Sequence, residues 1–334
     1  MPRALLGVSI ALLALLPLSG IGNYPLHLVI NCLLWGYVYT SWSVMGRLGL
    51  VSFGHGAFLG IGAYAVVMLW NNFGVSPWLG AIAGIVASVV VALMIGIPCF
   101  RFKIVGHYFA LVTLALSEVT RLVIVALRDQ TGGSLGATPN TALAQGVTVS
   151  FEALQFQSKI AWFYVILAFW LLALWVWHVV DRSMTRLALE AISQEEDAAA
   201  SIGINVTKSK LFVTIISAVM TSIGGVLYAQ YQMYINPETV SGIGISLQMV
   251  FGVIAGGMYV MLGPTVGAAF TLLLAEGLRL ALGEHFKQFP ALDLAIYGLL
   301  LVLFIIYLPK GILGAALDAW KNRSPSGLPA TAKK

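Results

Sequence analysis

Residues 181–210 read DRSMTRLALEAISQEEDAAASIGINVTKSK, and apolar runs of membrane length flank them at 160–180 and 211–230. A long polar segment between two such runs is the pattern of a polytopic membrane protein with a working loop on one side. The rest of the chain agrees. Its 334 residues are 59% hydrophobic and 9% charged, with mean hydropathy +0.92, whereas a soluble domain carries about 25% charged residues. The apolar runs are continuous, which argues against a β-barrel, whose strands alternate in polarity. The expected fold class is therefore all-α, a polytopic transmembrane helical bundle.

Ten apolar segments are legible, at 4–22, 25–45, 48–70, 78–98, 106–127, 160–180, 211–230, 245–262, 264–282 and 290–308. The expectation is about ten spans, eight to ten in all. Only Gly263-Pro264 separates the eighth from the ninth, so one of them is open to a short or re-entrant reading. Arg3 before the first run resembles a signal peptide, but no small-x-small cleavage site follows, and the run reads as a retained span. Placing both termini in the cytoplasm puts thirteen of the 18 Lys and Arg residues inside, three outside and two within spans. That bias sets the orientation and puts 181–210 in the cytoplasm. It also accounts for the net charge of +5 without a nucleic-acid partner. A permease domain over 1–320 is expected, with a long outer loop at about 128–159. The stretch 321–334 reads as a disordered cytoplasmic tail.

Inside 181–210, Ala188, Ala191, Ile192, Ala198, Ala199 and Ile202 recur at helical spacing, while Glu190, Gln194, Glu195, Glu196 and Asp197 fill most of the rest. This predicts one short amphipathic helix over about 188–203, with a shallow face of small side chains that a partner can approach closely. Gly203 is placed to end it in the left-handed conformation. A solvated loop with helical propensity is the plainer alternative.

Two pairs of charges fall inside spans. Glu118 and Arg121 lie three apart in the fifth segment, and Glu276 and Arg279 repeat that spacing in the ninth. A lone charge at a helix centre costs about 2.5–3.5 kcal/mol on insertion scales, and the spacing lets each carboxylate meet its arginine. Two readings are open: a structural ion pair, or a pair lining the solute path or its outer gate. The cluster Gly54, His55, Gly56 likewise reads either as tight packing around a satisfied histidine or as a broken helix whose freed backbone meets solute. No GxxxxGK[ST] occurs, so the chain has no phosphate cradle of its own. Cys32 and Cys99 suggest neither a disulfide framework nor a metal site, and the adjacent Glu284-His285 has no metal-ligand spacing.

Several stretches taken together carry a family resemblance. They are Ala191 to Ala199 with Ile202-Gly203-Ile204 and Lys208 to Phe212, and Ser52-Phe53-Gly54-His55-Gly56-Ala57-Phe58 with Gly60, Gly62, Ala63 and Tyr64. TGGS at 131–134, GG at 256–257, GP at 263–264 and LPKG at 308–311 follow in order. This pattern resembles the permeases of branched-chain amino acid ABC importers, from about residue 30 to 315. The chain differs from the usual pattern at Ser193, Leu135 and Tyr259. The resemblance implies an ABC importer permease fold in a bacterial inner membrane, paired with a second, paralogous permease. It implies two ABC ATPase subunits, which would hold the ATP and Mg, docked at Ala191, Ile192, Glu195, Glu196, Ala198, Ala199 and Gly203. It implies a periplasmic substrate-binding protein and leucine, isoleucine or valine as solute, with urea, short amides or other amino acids as alternatives within the family. No cofactor, metal or covalent chemistry is expected in this chain. The competing class is a proton-coupled secondary transporter using the intramembrane acids and His55.

Overall fold

A computed structural model describes residues 10–142, 149–283, 292–308 and 310–323. The chain is helical almost throughout. The principal helices are α1 (Asn23–Gly46), α2 (His55–Phe73), α3 (Pro77–Arg101), α4 (Gly106–Ala126), α5 (Lys159–Arg182), α6 (Met184–Gln194), α7 (Glu196–Ser201), α8 (Val206–Gln232), α9 (Pro237–Val240), α10 (Ile243–Gly256), α11 (Gly263–Gly283), α12 (Leu292–Tyr307) and α13 (Gly311–Arg323). Among the described residues seven stretches are long and apolar enough to cross a membrane: α1 to α5, α8, and the joined stretch Pro237–Gly256. Helix α11 is a further 21-residue helix, and Ile10–Ser19 and Ala295–Phe304 are shorter apolar helices. Seven such stretches thus stand among the described residues, beside the about ten spans, eight to ten in all, expected from the sequence. Residues 1–9, which include the start of the first expected segment, and 290–291 of the tenth lie outside the described residues, as do Glu284, His285 and 324–334. The last helix continues through Arg323, three residues into the stretch read as a tail.

Helix α1 is the hub. Its most apolar window is 78% buried, against 22% for α4 at the periphery. Hydroxyl-bearing and small residues let α1, α2 and α8 approach closely. Ser41 on α1 and Thr221 on α8 share a hydrogen bond of 2.8 Å. A Cβ on Gly225 of α8 would stand 2.1 Å from the Leu59 carbonyl of α2, and one on Gly62 would stand 2.1 Å from the Ser222 carbonyl. In lipid, where apolar side chains gain little by meeting each other, this small-residue contact is what joins helices. The tryptophans of α5 divide by face. Trp162, Trp170 and Trp177 are buried and each donates its indole N–H, to Phe156 O, Thr265 Oγ1 and Ser43 Oγ, while Trp175 is exposed.

Three segment boundaries differ from the apolar runs. The third expected span, 48–70, begins as helix only at His55. Residues 48–54 form an irregular segment that starts at Gly49, with φ +87°. Its backbone groups are satisfied by neighbours: Trp42 Nε1 donates to Ser52 O at 2.7 Å, and Phe53 N donates to Thr113 Oγ1 at 3.0 Å. Irregular backbone at this position is tolerated because protein, not lipid, surrounds it. The eighth, 245–262, stops at Gly256, where Gly257 adopts φ +115°. A Cβ on Gly256 would lie 1.9 Å from Gly263 O, so the turn into α11 has room only for glycine. The single amphipathic helix expected at 188–203 is two helices, α6 and α7. Glu195 between them is extended, at φ −156° and ψ 108°.

The outer loop carries a helical turn at Arg128–Thr131, a 3-10 turn at Gly133–Leu135, and a two-residue hairpin of β1 (Val149–Ser150) and β2 (Gln155–Phe156). An antiparallel bridge between Ala137 and Ile235 ties it to the segment after α8.

Candidate functional site

The polar helices between α5 and α8 are held as a rigid pair. Leu189, Ile192 and Ala199 are buried against the bundle, so Ile192 and Ala199 position the pair, while Glu195, Ala198 and Gly203 are exposed and Ala191 is half-buried. At the end of α7, Gly203 has φ +92°, as its spacing predicted. Ile204 N donates to Ala199 O at 3.2 Å and Gly203 N to Ala200 O at 3.0 Å, the two bonds of a Schellman motif. Asn205 then caps α8 by accepting from Lys208 N at 3.0 Å. Two ion pairs hold the start of α7. Lys103, in the α3–α4 turn, meets Asp197, and this hydrogen bond holds the Lys103 ammonium above its ordinary range. Lys210 on α8, 3% exposed, meets Glu196 at 2.6 Å. At the start of α6, Asp181 accepts from Arg47 at 2.6 Å, and Arg186 Nε bonds Glu190 at 2.7 Å. A cleft of about 370 Å³ opens beside the break, lined by Leu48, Leu50, Val105, Ile192, Glu195 and Lys210 among others.

Lys210→Met removes the buried cation and leaves Glu196, whose side chain is only 20% exposed, without its partner. We expect a loss of about 2 kcal/mol, below the about 3–5 kcal/mol for breaking a fully buried pair because water still reaches Glu196. Thermal unfolding in detergent measures it, and Lys103→Met at the exposed pair should shift the transition far less. Equal shifts in the two variants would contradict this ranking.

The second constellation lies where helix α2 begins. The four glycines of its cluster each meet a different neighbour. Gly54 packs on Thr113, Gly56 on Gly242 O and Ser117, Gly60 on Ser241 and Gly62 on Ser222. Gly56 N donates to Ser246 Oγ at 3.0 Å, and Ser117 Oγ donates to Gly242 O at 2.9 Å. The start of α2, the middle of α4 and the start of α10 therefore meet at one polar node. The stretch Pro237–Gly256 is itself interrupted there, at Ser241 and Gly242, the latter with φ +87°. His55 is fully buried, with Nε2 2.7 Å from Ser217 Oγ. Ser217 spends its proton on Ser41 O at 2.6 Å, so His55 Nε2 is the donor and Nδ1 a buried acceptor without a protein partner. The histidine is packed, and the irregular backbone that precedes it is satisfied by protein neighbours.

Arg121 sits one turn from Ser117 on α4. Its Nε donates to Glu118 Oε1 at 2.9 Å, its Nη1 to Glu238 Oε1 of α9 at 2.8 Å, and its Cδ lies over Gly242. The expected Glu118–Arg121 pair is present, with a third member that sequence spacing did not reveal. The only local signal was the start of α9, where Asn236 and Thr239 form a capping box. Glu276 and Arg279 are elsewhere. Glu276 accepts from Tyr24 Oη of α1 at 2.9 Å, while Arg279 stands 3.9 Å off and is largely exposed. The repeated spacing therefore does not make an equivalent site. Between α2 and α4, beside the node, lies a crevice of about 500 Å³ lined by Ile61, Tyr64, Met68, Thr120, Val123 and Thr131 among others.

Comparison with known proteins places this geometry. Residues 29–305 match the family described as branched-chain amino acid transport system / permease component. The high-affinity branched-chain amino acid transport system permease protein LivM of Salmonella typhimurium is 28% identical over 300 residues, covering 84% of this chain and 68% of that protein. LivM of Escherichia coli K12 is also 28% identical, over 81% of this chain and 65% of that protein, so the match spans about two thirds of these relatives. The permease protein LivH of Escherichia coli K12 is 26% identical over 285 residues, covering 81% of this chain and 88% of LivH. No solved structure matches.

Proposed function

This chain belongs to the permease-component family of branched-chain amino acid transport systems, and we propose that it is a membrane-spanning subunit of an ATP-binding-cassette importer. It would form the translocation path for leucine, isoleucine or valine with a second, paralogous permease. That relatives of both the LivM and the LivH kind are similar to it is consistent with such a pairing. Two ATPase subunits, which carry the ATP and Mg, would dock on α6 and α7. A periplasmic binding protein would deliver solute to the outer loop. Both termini would lie in the cytoplasm.

One observation carries the coupling part of this reading. The α6–α7 pair is clamped to α8 by Lys210–Glu196 and to the α3–α4 turn by Lys103–Asp197. Helix α8 then runs unbroken for 27 residues, passing Ser217 against His55 and Ser222 against Gly62. A push on the exposed surface at Glu195, Ala198 and Gly203 would therefore move the start of α2 and the node around Gly242. Coupling of this kind is mechanical, since packed helices shift as units. At the node, the N-terminal N–H groups of α10 would offer donors for a carboxylate, with Arg121 already committed to Glu118 and Glu238. The crevice between α2 and α4 offers apolar walls for an aliphatic side chain.

The test is uptake and ATP hydrolysis measured together in the reconstituted transporter. Glu195→Arg and Gly203→Val are expected to abolish solute-stimulated uptake while the chain remains inserted. At Gly203 a side chain meets no neighbour, so the variant acts through its φ of +92°, at a cost of about 1–2 kcal/mol. Full uptake by both variants would refute docking at this surface, and uptake by the chain alone in ATP-free vesicles would refute the importer reading.

A further inference from the structure

At the end that carries α6 and α7, helices α5 and α8 line a groove of about 490 Å³. Its walls include Leu172, Trp175 and Val179 on α5 and Phe212, Ile216 and Val219 on α8. Leu172, Trp175, Val179 and Phe212 are each about half exposed, although they lie in the middle and end of two membrane-length helices. The residues on each wall recur three or four apart, so each forms a stripe along one helix face. Continued toward the polar end, both stripes reach a cation. Arg182 follows Val179 by three on α5, and Lys208 precedes Phe212 by four on α8. Ser183 and Thr185 complete the groove at that end.

The charge pattern singles these two residues out. Nearby, Arg47, Lys103, Arg186 and Lys210 are each paired with a carboxylate. Arg182 and Lys208 are exposed and have no ion pair among the described residues. An apolar groove between spans, with two hydroxyl residues in its lining and two unpaired cations about one turn beyond it on the same two helices, matches one kind of occupant in shape and charge. We propose that it binds an anionic phospholipid, one acyl chain in the groove and its phosphate between Arg182 and Lys208. Because Thr185 belongs to α6, the bound headgroup would touch the first turn of the polar helix pair and bias its position. The lipid content of the membrane would then tune this protein. The binding claim is independent of the importer reading, so the two can fail separately.

The test uses the transporter purified with the subunits it retains, stripped of lipid and titrated with phosphatidylglycerol or phosphatidylcholine, with bound lipids counted by native mass spectrometry. We expect retention of phosphatidylglycerol over phosphatidylcholine. Each cation should contribute about 5-fold, so Arg182→Ala with Lys208→Ala should lose about 25-fold in apparent affinity. Ile216→Trp, which fills the groove and keeps both cations, should also release the lipid. Equal retention of the two headgroups, or no change in the double alanine variant, would overturn the proposal. So would a neighbouring subunit in the groove, seen as lost subunit recovery in Ile216→Trp with unchanged lipid counts.

Discussion

Gly225→Ala is expected to remove nearly all folded chain from the membrane. The added methyl would stand 2.1 Å from the carbonyl oxygen of Leu59 and 2.9 Å from the backbone nitrogen of Ala63. Both are backbone atoms of α2, so no side chain can swing aside. Helices α2 and α8 would have to separate along their contact, which also carries Gly62 on Ser222 and His55 on Ser217. Overpacking in a core that can adjust its rotamers costs about 1–3 kcal/mol, and a backbone collision belongs at or above the top of that range. Inserted, monodisperse protein after mild solubilisation is the measurement. The control is Gly277→Ala on α11, where no described residue lies within 4 Å of the new methyl. That change should be neutral or stabilise slightly, since alanine is the better helix former by about 0.8–1 kcal/mol. Normal yield from Gly225→Ala would mean that α2 and α8 do not pack this closely.

Arg121→Met is expected to stop transport in a chain that still inserts. The guanidinium joins Glu118 on its own helix to Glu238 on α9 and lies over Gly242, where the stretch Pro237–Gly256 is interrupted. Its removal leaves Glu118 with no cation and frees the short helix α9 from α4. The node of Gly56, Ser117, Gly242 and Ser246 then loses one of its walls. We expect initial uptake to fall at least about 10-fold, equivalent to about 1.4 kcal/mol, with membrane content little changed. Arg121→Lys keeps the charge but cannot bridge two carboxylates in a planar fork, and should recover only part of the loss. Glu238→Gln should cost little, because that side chain is 76% exposed and its pair is screened. Uptake by Arg121→Met equal to that of the unmodified chain would exclude a transport role for the network.

Much of this arrangement was already legible along the chain. Continuous apolar runs announced the spans, since length and hydropathy are local properties. The polar segment 181–210 announced helical structure, though as one helix and not two, and Gly203 its left-handed stop, because a glycine after a helical pattern has few other uses. The i,i+3 pairing of Glu118 with Arg121 follows from helix geometry alone. Other features were out of reach for a physical reason. Residues 48–54 are as apolar as a helix, and only Trp42 and Thr113, from other helices, make an irregular path through them affordable. The break at Glu195 is followed by Glu196 and Asp197, which meet Lys210 and Lys103, partners that lie far away along the chain. Arg121 met Glu238 across 117 residues, and Glu276 turned to Tyr24 rather than closely to Arg279. Sequence by itself determined that this is a multi-pass helical membrane protein with a polar helical segment between two spans, because those traits are set within one or two helical turns. Where helices stop inside the apolar region, and which charges meet, only the tertiary structure decided, because a backbone group or charge held away from water is satisfied by whatever the packing of distant segments brings to it.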